Sequence, residues 1–137
     1  MRYMAIDYGR KRTGLAVCDR DETLASPLTV LEGQKNLLQR ILEVVREENI
    51  DAIVVGLPVN MDGSKGPQAR LVEEFAGRLC SLVDIPVQFH DERLTTFAAR
   101  EKLAPVGMGG RKKGKFVDAV AAAEILESFL EQKRQSK

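Results

Sequence analysis

Short apolar runs near the start of the chain predict three β-strands. The runs cover residues 3–7, 13–18 and 23–30, and glycine-containing or acidic turns separate them. Strands joined by such short turns must pair antiparallel. The chain is therefore expected to begin with a three-stranded meander.

The spacing of apolar residues then becomes helical. Leucine, isoleucine and valine recur every three to four residues over 34–48, and a second helical pattern begins near Leu71. Between these segments, residues 52–57 are apolar throughout, which is typical of a strand buried on both faces of a sheet. Residues 86–91 predict a fifth strand.

The last part of the chain predicts two helices around a loop. Thr95 or Thr96 is a suitable N-cap for a short helix that ends near Leu103. Glycine, proline and lysine are frequent in residues 104–115, which we expect to form a mobile loop. A final helix is predicted over 116–131.

These elements fit one α/β domain over residues 1–137, of which residues 131–137 form a polar tail. Right-handed crossovers place strand one in the middle of a five-stranded mixed sheet of order 3-2-1-4-5, with helices on both faces. Strands four and five run parallel to strand one. The chain direction reverses between strands one and four, and ligands of open α/β sheets bind at such a point, beyond the carboxyl ends of the strands.

Composition limits the classes of protein to consider. A chain of 137 residues with 44% hydrophobic content provides one domain with an ordinary core. The net charge of +1 argues against a polybasic, histone-like binder. No apolar run approaches the length of a membrane span, and the N-terminus does not resemble a signal peptide. Two distant cysteines predict a reduced, cytoplasmic protein without a structural zinc site.

Acidic residues occur where the predicted sheet would bind a ligand. Asp7 ends strand one at the reversal point, where it either belongs to a site or caps the following turn. Asp91 and Glu92 end strand five at the same edge, although both are also typical turn residues. Because adjacent strand residues point to opposite faces, one of the pair is expected to face Asp7 and the other to bind Arg93 or a loop amide.

Asp118 opens the last predicted helix. Aspartate is common in a first helical turn, where it interacts with the helix dipole. Asp118 also shares one helix face with Ala122, Ile125 and Phe129, and the last two of these must pack on the sheet. We therefore expect the Asp118 carboxylate to point inward, toward the sheet.

Carboxylates from two strands and a helix can thus converge at one edge of the sheet. Clustered negative charges repel one another, and a divalent cation between them offsets that repulsion. Since the candidate ligands are all oxygens, Mg²⁺ or Mn²⁺ is expected rather than Zn²⁺. Two such ions, about 3.5–4 Å apart, would suit the attacking water and the leaving oxygen of a phosphodiester.

Basic residues accompany these acids. Arg10, Lys11 and Arg12 lie in a turn bracketed by Gly9 and Gly14, whose backbone N–H groups can approach a phosphate. A plain, solvated hairpin turn is the alternative interpretation.

Two further polar segments are candidates for substrate contact. Residues 58–66, which include Asn60, either line a groove at the reversal point or form an ordinary loop. A glycine-flanked basic run is either a clamp on a nucleic-acid backbone or a solvated surface; it contains Arg111, Lys112, Lys113 and Lys115. Arg93, beside the acidic pair, is a further candidate contact. His90 is expected to be a packing residue rather than a catalyst.

Four stretches carry a family resemblance in their combination and order. They read AIDYG at 5–9 with TGLAV at 13–17, VVGLP at 54–58 with NMDG at 60–63, DERLTT at 91–96, and DAVAA at 118–122. In these stretches the chain resembles the YqgF family of the RNase H-like superfamily, from about Tyr3 to Leu130. Members of that family are described as nucleases of precursor 16S ribosomal RNA and, earlier, as Holliday junction resolvases.

The resemblance implies an RNase H-like, three-layer fold with the strand order given above. It also implies that Asp7, Glu92 and Asp118 are the catalytic, metal-binding acids, and so it selects Glu92 over Asp91. RNase H-like nucleases often carry an acid at the end of strand four, where this chain has Gly56. We take Glu92 to substitute for that acid from strand five, in a site with one or two ions.

The acids and the resemblance together predict a metal-dependent nuclease of structured nucleic acid. The first expected substrate is the 5′ end of precursor 16S rRNA, and ribosomal particles are the expected partners. Branched DNA, as in a four-way junction, is the alternative substrate. A third hypothesis is that the protein is a non-catalytic RNA- or ribosome-binding module. No long apolar stripe remains after the core is assigned, so a monomer or weak dimer is expected.

Overall fold

A computed structural model describes residues 1–95 and 110–136 of the protein, with the backbone alone for 110–116. The described elements form a five-stranded sheet of order β3-β2-β1-β4-β5, which confirms the predicted topology. The strands are β1 (Tyr3–Asp7), β2 (Arg12–Cys18), β3 (Ala25–Glu32), β4 (Ala52–Leu57) and β5 (Val87–Asp91); the helices are α1 (Leu37–Glu47), α2 (Pro67–Cys80), a 3₁₀ turn (Glu92–Leu94) and α3 (Gly110–Gln135).

The pairing directions are also as predicted. Strand β1 pairs antiparallel with β2 and parallel with β4, while β4 pairs parallel with β5. The carboxyl ends of β1, β4 and β5 therefore lie at one edge of the sheet. Asp7, Leu57 and Asp91 are the last residues of these three strands.

Side chains alternate between two cores, one on each face of the sheet. Met4 and Ile6 of β1 pack into the core that α1 and α2 cover, whereas Tyr3 and Ala5 pack into the core beneath α3. By the same two-residue period, Asp7 belongs to the α3 face. The sequence alternation thus sends the last side chain of β1 toward the helix that carries Asp118.

Small side chains allow α3 to lie close to the sheet. The sheet residues beneath it include Ala5, Ala16 and Ala52, and the helix contributes Ala122 and Ala123. All five are buried. Close approach of two backbones requires such residues, because each larger side chain would add to the distance between helix and sheet.

The final helix is longer than the sequence pattern predicts. It begins at Gly110 instead of residue 116 and continues to Gln135, so residues 110–115 are not a loop and 131–135 are not a tail. Lysine and arginine are good helix formers, and they outweigh the glycines in the first two turns. At the other end, Lys133 and Arg134 interact favourably with the helix dipole.

Two other expectations concern this region. Asp118 lies about two turns after the start of α3, so the prediction that it opens the helix is wrong. The short helix predicted from Thr95 or Thr96 to Leu103 lies almost wholly outside the described residues. Thr95 itself is extended and follows the 3₁₀ turn.

No helix in the described ranges has the length and apolar character needed to cross a membrane.

Candidate active site

Asp7 stands at the carboxyl edge of the sheet, opposite Gly14 of the neighbouring strand. Its side chain is half-buried, and it follows four buried residues of β1. On its other side it lies one residue past the Ile6–Val55 pair of β1 and β4. The central strand β1 therefore fixes the backbone of Asp7 between β2 and β4, which limits where its carboxylate can lie.

Gly14 explains how Asp118 reaches this edge. A β-carbon on Gly14 would overlap the backbone carbonyl of Asp118. Only glycine permits that approach, which brings α3 down onto β2 beside Asp7. The Asp118 carboxylate remains partly accessible, with 28% of its side chain exposed.

Gly56 performs a similar role for Glu92. Gly56 pairs with His90 at the end of β4 and β5. A β-carbon at Gly56 would lie 2.5 Å from Cδ1 of Ile125 and 3.4 Å from the carboxyl carbon of Glu92. Where the superfamily pattern has an acid near the end of strand four, this chain therefore places a glycine against the acid of the next strand.

The structure gives the adjacent acids Asp91 and Glu92 different partners, as expected, but Glu92 lies in the 3₁₀ turn after β5 and not in the strand. Asp91 accepts hydrogen bonds from the Arg93 guanidinium, the shortest at 2.6 Å, and from the Arg93 backbone N–H. These hydrogen bonds lower the pKa of Asp91. Burial and the charge of Asp91 instead raise the pKa of Glu92. Asp91 is therefore engaged in holding Arg93, and Glu92 is the acid that faces inward.

The charge environment of Asp7 indicates that the acids lie near one another. Burial is the largest cause that raises the pKa of Asp7 from 3.8 to about 7, followed by the negative charges of Glu92, Asp118 and Glu124. Neutral pH is then close to the midpoint of its ionisation. The repulsion that Glu92 and Asp118 exert on Asp7 is consistent with the predicted convergence of these three acids.

Glu124 is an acid that the sequence analysis did not single out. It lies in α3, is 9% exposed and adds to the negative field at Asp7. The available signal was an acid inside the apolar segment 119–126. An acid in such a position is uncommon unless it has a buried partner.

Arg12 contacts one of the predicted catalytic acids. Its Nε donates a hydrogen bond of 2.7 Å to Oδ2 of Asp118, which joins the first residue of β2 to α3. The Arg10 and Lys11 side chains are exposed in the turn before it. The three predicted phosphate contacts therefore differ, because Arg12 already has a carboxylate partner.

The remaining candidate contacts occupy an ordered loop and the start of α3. The Asn60 side chain donates to Ser64 Oγ at 3.0 Å, and Arg93 donates to the Met61 carbonyl at 3.1 Å. Arg93 thus ties the loop after β4 to the end of β5. The side chains of Arg111, Lys112, Lys113 and Lys115 lie outside the described part of the structure.

His90 is a packing residue, as expected from its position. It is 5% exposed, lies edge-on to Phe129, and its Nε2 is 2.9 Å from Ser128 Oγ. Because the Ser128 hydroxyl donates to the Leu94 carbonyl, the His90 Nε2–H is the donor in this pair. Burial lowers the pKa of His90, which keeps the ring neutral near pH 7.

The donor chemistry of the edge fits a hard divalent cation. Asp7, Glu92 and Asp118 supply carboxylate oxygens only, and their repulsion at Asp7 is the kind that a cation offsets. Among the described side chains, no three acid, histidine or cysteine residues stand close enough together to form a ready-made metal cage. Side-chain rearrangement would therefore accompany cation binding.

Comparison with solved structures identifies the fold. RuvC of T. thermophilus, in complex with a Holliday junction substrate, superposes with a TM-score of 0.65 at 17% identity. The match covers 97% of this chain and 96% of that one. The fold is therefore the RNase H-like fold found in RuvC-like resolvases.

Sequence comparison then identifies the family. Residues 1–132 match the family described as "RuvX: Holliday junction resolvase", and the chain belongs to that family. RuvX and YqgF name the same family, so the resemblance found in the sequence is confirmed.

Curated relatives span nearly the whole chain. A protein of Roseiflexus sp. (strain RS-1) named "Putative pre-16S rRNA nuclease" is 43% identical over 97% of this chain and 96% of its own length. A relative of the same name from Anaeromyxobacter dehalogenans (strain 2CP-C) is also 43% identical, over 97% of this chain and 98% of its own. Family and fold together make the protein a nuclease of the hydrolase class.

Proposed function

We propose that this nuclease cleaves structured RNA in a divalent-cation-dependent reaction, with the 5′ end of precursor 16S rRNA as its substrate. Asp7, Glu92 and Asp118 are the acids that carry the reaction. The observation that supports this assignment is the placement of the acids by two glycines: Gly14 pairs with Asp7 and lies against the Asp118 carbonyl, and Gly56 lies against the carboxyl carbon of Glu92. The names of the curated relatives support the choice of RNA.

Asp7, Glu92 and Asp118 would hold Mg²⁺ or Mn²⁺ at the carboxyl edge of the sheet. When bound, such a cation supplies Lewis acidity that activates water and offsets charge on the phosphate. Asp7, with a pKa of about 7, must give up its proton before it can serve as a ligand. Cation affinity is therefore expected to rise as the pH passes through about 7.

The surrounding residues have supporting roles in this proposal. Arg10 and Lys11 are exposed beside Asp7, where they can bind the phosphates that flank the cleaved bond. Arg93 and Asn60 shape the loop at the other side of the edge. The basic run at the start of α3 lies within the same helix as Asp118, and in this proposal it binds the backbone further from the cut.

A four-way DNA junction is the second candidate substrate. The description of the family and the fold shared with RuvC favour it. Resolution of a junction requires paired nicks in two strands, and hence two active sites in a dimer. The sequence predicts a monomer or weak dimer, which favours the RNA substrate.

Cleavage of two labelled substrates by one preparation distinguishes these functions. The substrates are a precursor 16S leader RNA, free and within a ribosomal particle, and a four-way DNA junction, each with Mg²⁺ or Mn²⁺. Cleavage of the RNA near the mature 5′ end supports the proposed function. Paired nicks in the junction alone would replace it with resolution. Binding without cleavage of either substrate would favour a non-catalytic module.

A further inference from the structure

The pair formed by Arg12 and Asp118 links a phosphate-binding candidate directly to a cation-binding candidate. Arg12 Nε donates to Asp118 Oδ2 at 2.7 Å, although the two residues are 106 positions apart in the chain. Their side chains are 45% and 28% exposed. An ion pair with that exposure contributes little to stability, so solvent ions can compete with it.

The backbone around this pair is fixed, so any exchange must involve the side chains. Gly14, two residues after Arg12, lies against the Asp118 carbonyl without room for a β-carbon. Strand β2 and helix α3 therefore cannot separate at this point without loss of packing. Rotation of the Arg12 side chain is the simplest movement that exposes Oδ2 of Asp118 to another cation.

We propose that Arg12 is an exchangeable counter-ion of Asp118. A divalent cation that binds Asp118 displaces the guanidinium, which then binds a phosphate of the nucleic acid. This inference rests on the proposed function, because it takes Asp118 to be a cation ligand. It adds a coupling between the two ligands: cation and nucleic acid each favour the released Arg12, so each tightens binding of the other.

The released guanidinium has a suitable place to act. It would join Arg10 and Lys11 in the turn between β1 and β2, next to Asp7. Guanidinium groups bind phosphate oxygens through two parallel hydrogen bonds. Lysine at the same position could pair with Asp118 but would bind phosphate as a point charge, without that fork.

The Nε–H resonance of Arg12 in a proton–nitrogen NMR spectrum reports the exchange directly. The signal is assigned by its loss in Arg12→Gln, and Asp118→Asn supplies the spectrum of a released guanidinium. Titration of the wild-type protein with Mg²⁺ is expected to move the signal toward its position in Asp118→Asn. A signal that stays in place while backbone resonances near Asp7 saturate with Mg²⁺ would overturn the proposal.

Mn²⁺ affinity, measured by calorimetry, tests the competition. Arg12→Gln removes the competitor and is expected to tighten Mn²⁺ binding about two- to fivefold. Lys11→Gln removes an equal charge from the preceding residue, whose side chain is exposed. It is expected to have a clearly smaller effect. Equal tightening by both variants would reduce the effect to net charge and overturn the proposal.

The coupling is measured with a labelled RNA oligonucleotide, by fluorescence anisotropy in EDTA and in Ca²⁺, with a gel to confirm that the RNA stays intact. Ca²⁺ should tighten RNA binding more for the wild-type protein than for Arg12→Gln. An identical gain in both would contradict the coupling. Failure of Mn²⁺ and Ca²⁺ to bind the wild-type protein would instead refute the cation site itself, whereas binding without movement of Arg12 refutes only this inference.

Discussion

Gly14 of β2 lies so close to Asp118 of α3 that a β-carbon would overlap the Asp118 carbonyl. The same glycine pairs with Asp7 across the antiparallel β1–β2 ladder. One residue without a side chain therefore sets the distance between two of the three candidate acids. The contact that packs α3 on the sheet therefore also places Asp118 near Asp7.

Gly14→Ala is therefore expected to damage both stability and activity. Displacement of α3 should lower the free energy of unfolding by about 1–3 kcal/mol or more. Cleavage should fall about a hundredfold if Asp118 shifts by roughly 1 Å. Gly77→Ala is the matched control: Gly77 is in α2 with open space around its Cα, so alanine should stabilise by about 0.5–1 kcal/mol. Urea denaturation measures both, and equal stability of Gly14→Ala and wild type would contradict the packing argument.

Glu92→Gln and Asp91→Asn should have very different effects. Glu92 faces inward beside Gly56, and loss of its charge is expected to reduce cleavage at least about a hundredfold by removing a cation ligand. Asp91 instead holds Arg93, so Asp91→Asn should loosen the loop and reduce cleavage less than about tenfold. Steady-state cleavage rates decide the matter. If Asp91→Asn is the more damaging change, the assignment of Glu92 is wrong.

Asp7→Asn should make the metal-free protein more stable at high pH. The unfolded carboxyl ionises near 3.8 and the folded one near 7, so the folded state binds more protons between these values. The free energy of unfolding consequently falls as pH rises through that range, by up to about 4 kcal/mol from this group. In EDTA, Asp7→Asn is expected to gain about 2–4 kcal/mol near pH 8 and less than half of that near pH 5. A gain that is equal at both pH values would show that burial and neighbouring charge do not raise the pKa of Asp7.

Lys112→Ala combined with Lys113→Ala should weaken RNA binding more than the chemical step. If both lysines contact phosphates, the slope of log affinity against log salt should decrease by about 2. Arg20→Ala with Arg46→Ala removes the same charge from exposed side chains away from the candidate edge, and should change the slope much less. Anisotropy at several salt concentrations provides the measurement. An unchanged slope in the lysine variant would eliminate the clamp.

The sheet could be predicted from the sequence because its signals are local and redundant. Two-residue alternation in β1 and β2, the fully apolar β4 and the short turns leave few topologies, and the strand bounds differ from the prediction by at most two residues. The direction of the Asp118 side chain was equally predictable, since Ile125 and Phe129 identify the buried face of its helix. The start of α3 was harder to predict, because glycines and a basic run are as typical of a loop as of a helix.

Side-chain partnerships across the chain could not be predicted in the same way. The choice of Asp118 as the partner of Arg12 depends on a close helix–sheet approach that only the folded structure contains. The 3₁₀ turn after β5 likewise makes Asp91 a cap and Glu92 an inward acid, whereas strand geometry alone left either possibility. Glu124 lies in an apolar segment whose helical spacing of apolar residues predicted only packing against the sheet.

The most direct test of the central claim is cleavage of the precursor 16S leader RNA by wild type and Asp7→Asn, with Mg²⁺, with Mn²⁺ and with EDTA. Circular dichroism and thermal unfolding confirm that the variant is folded. We predict cleavage by the wild-type protein only when a divalent cation is present, and none by Asp7→Asn. Equal cleavage by the two proteins, or undiminished cleavage in EDTA, would contradict the assignment of this edge as a cation-dependent active site.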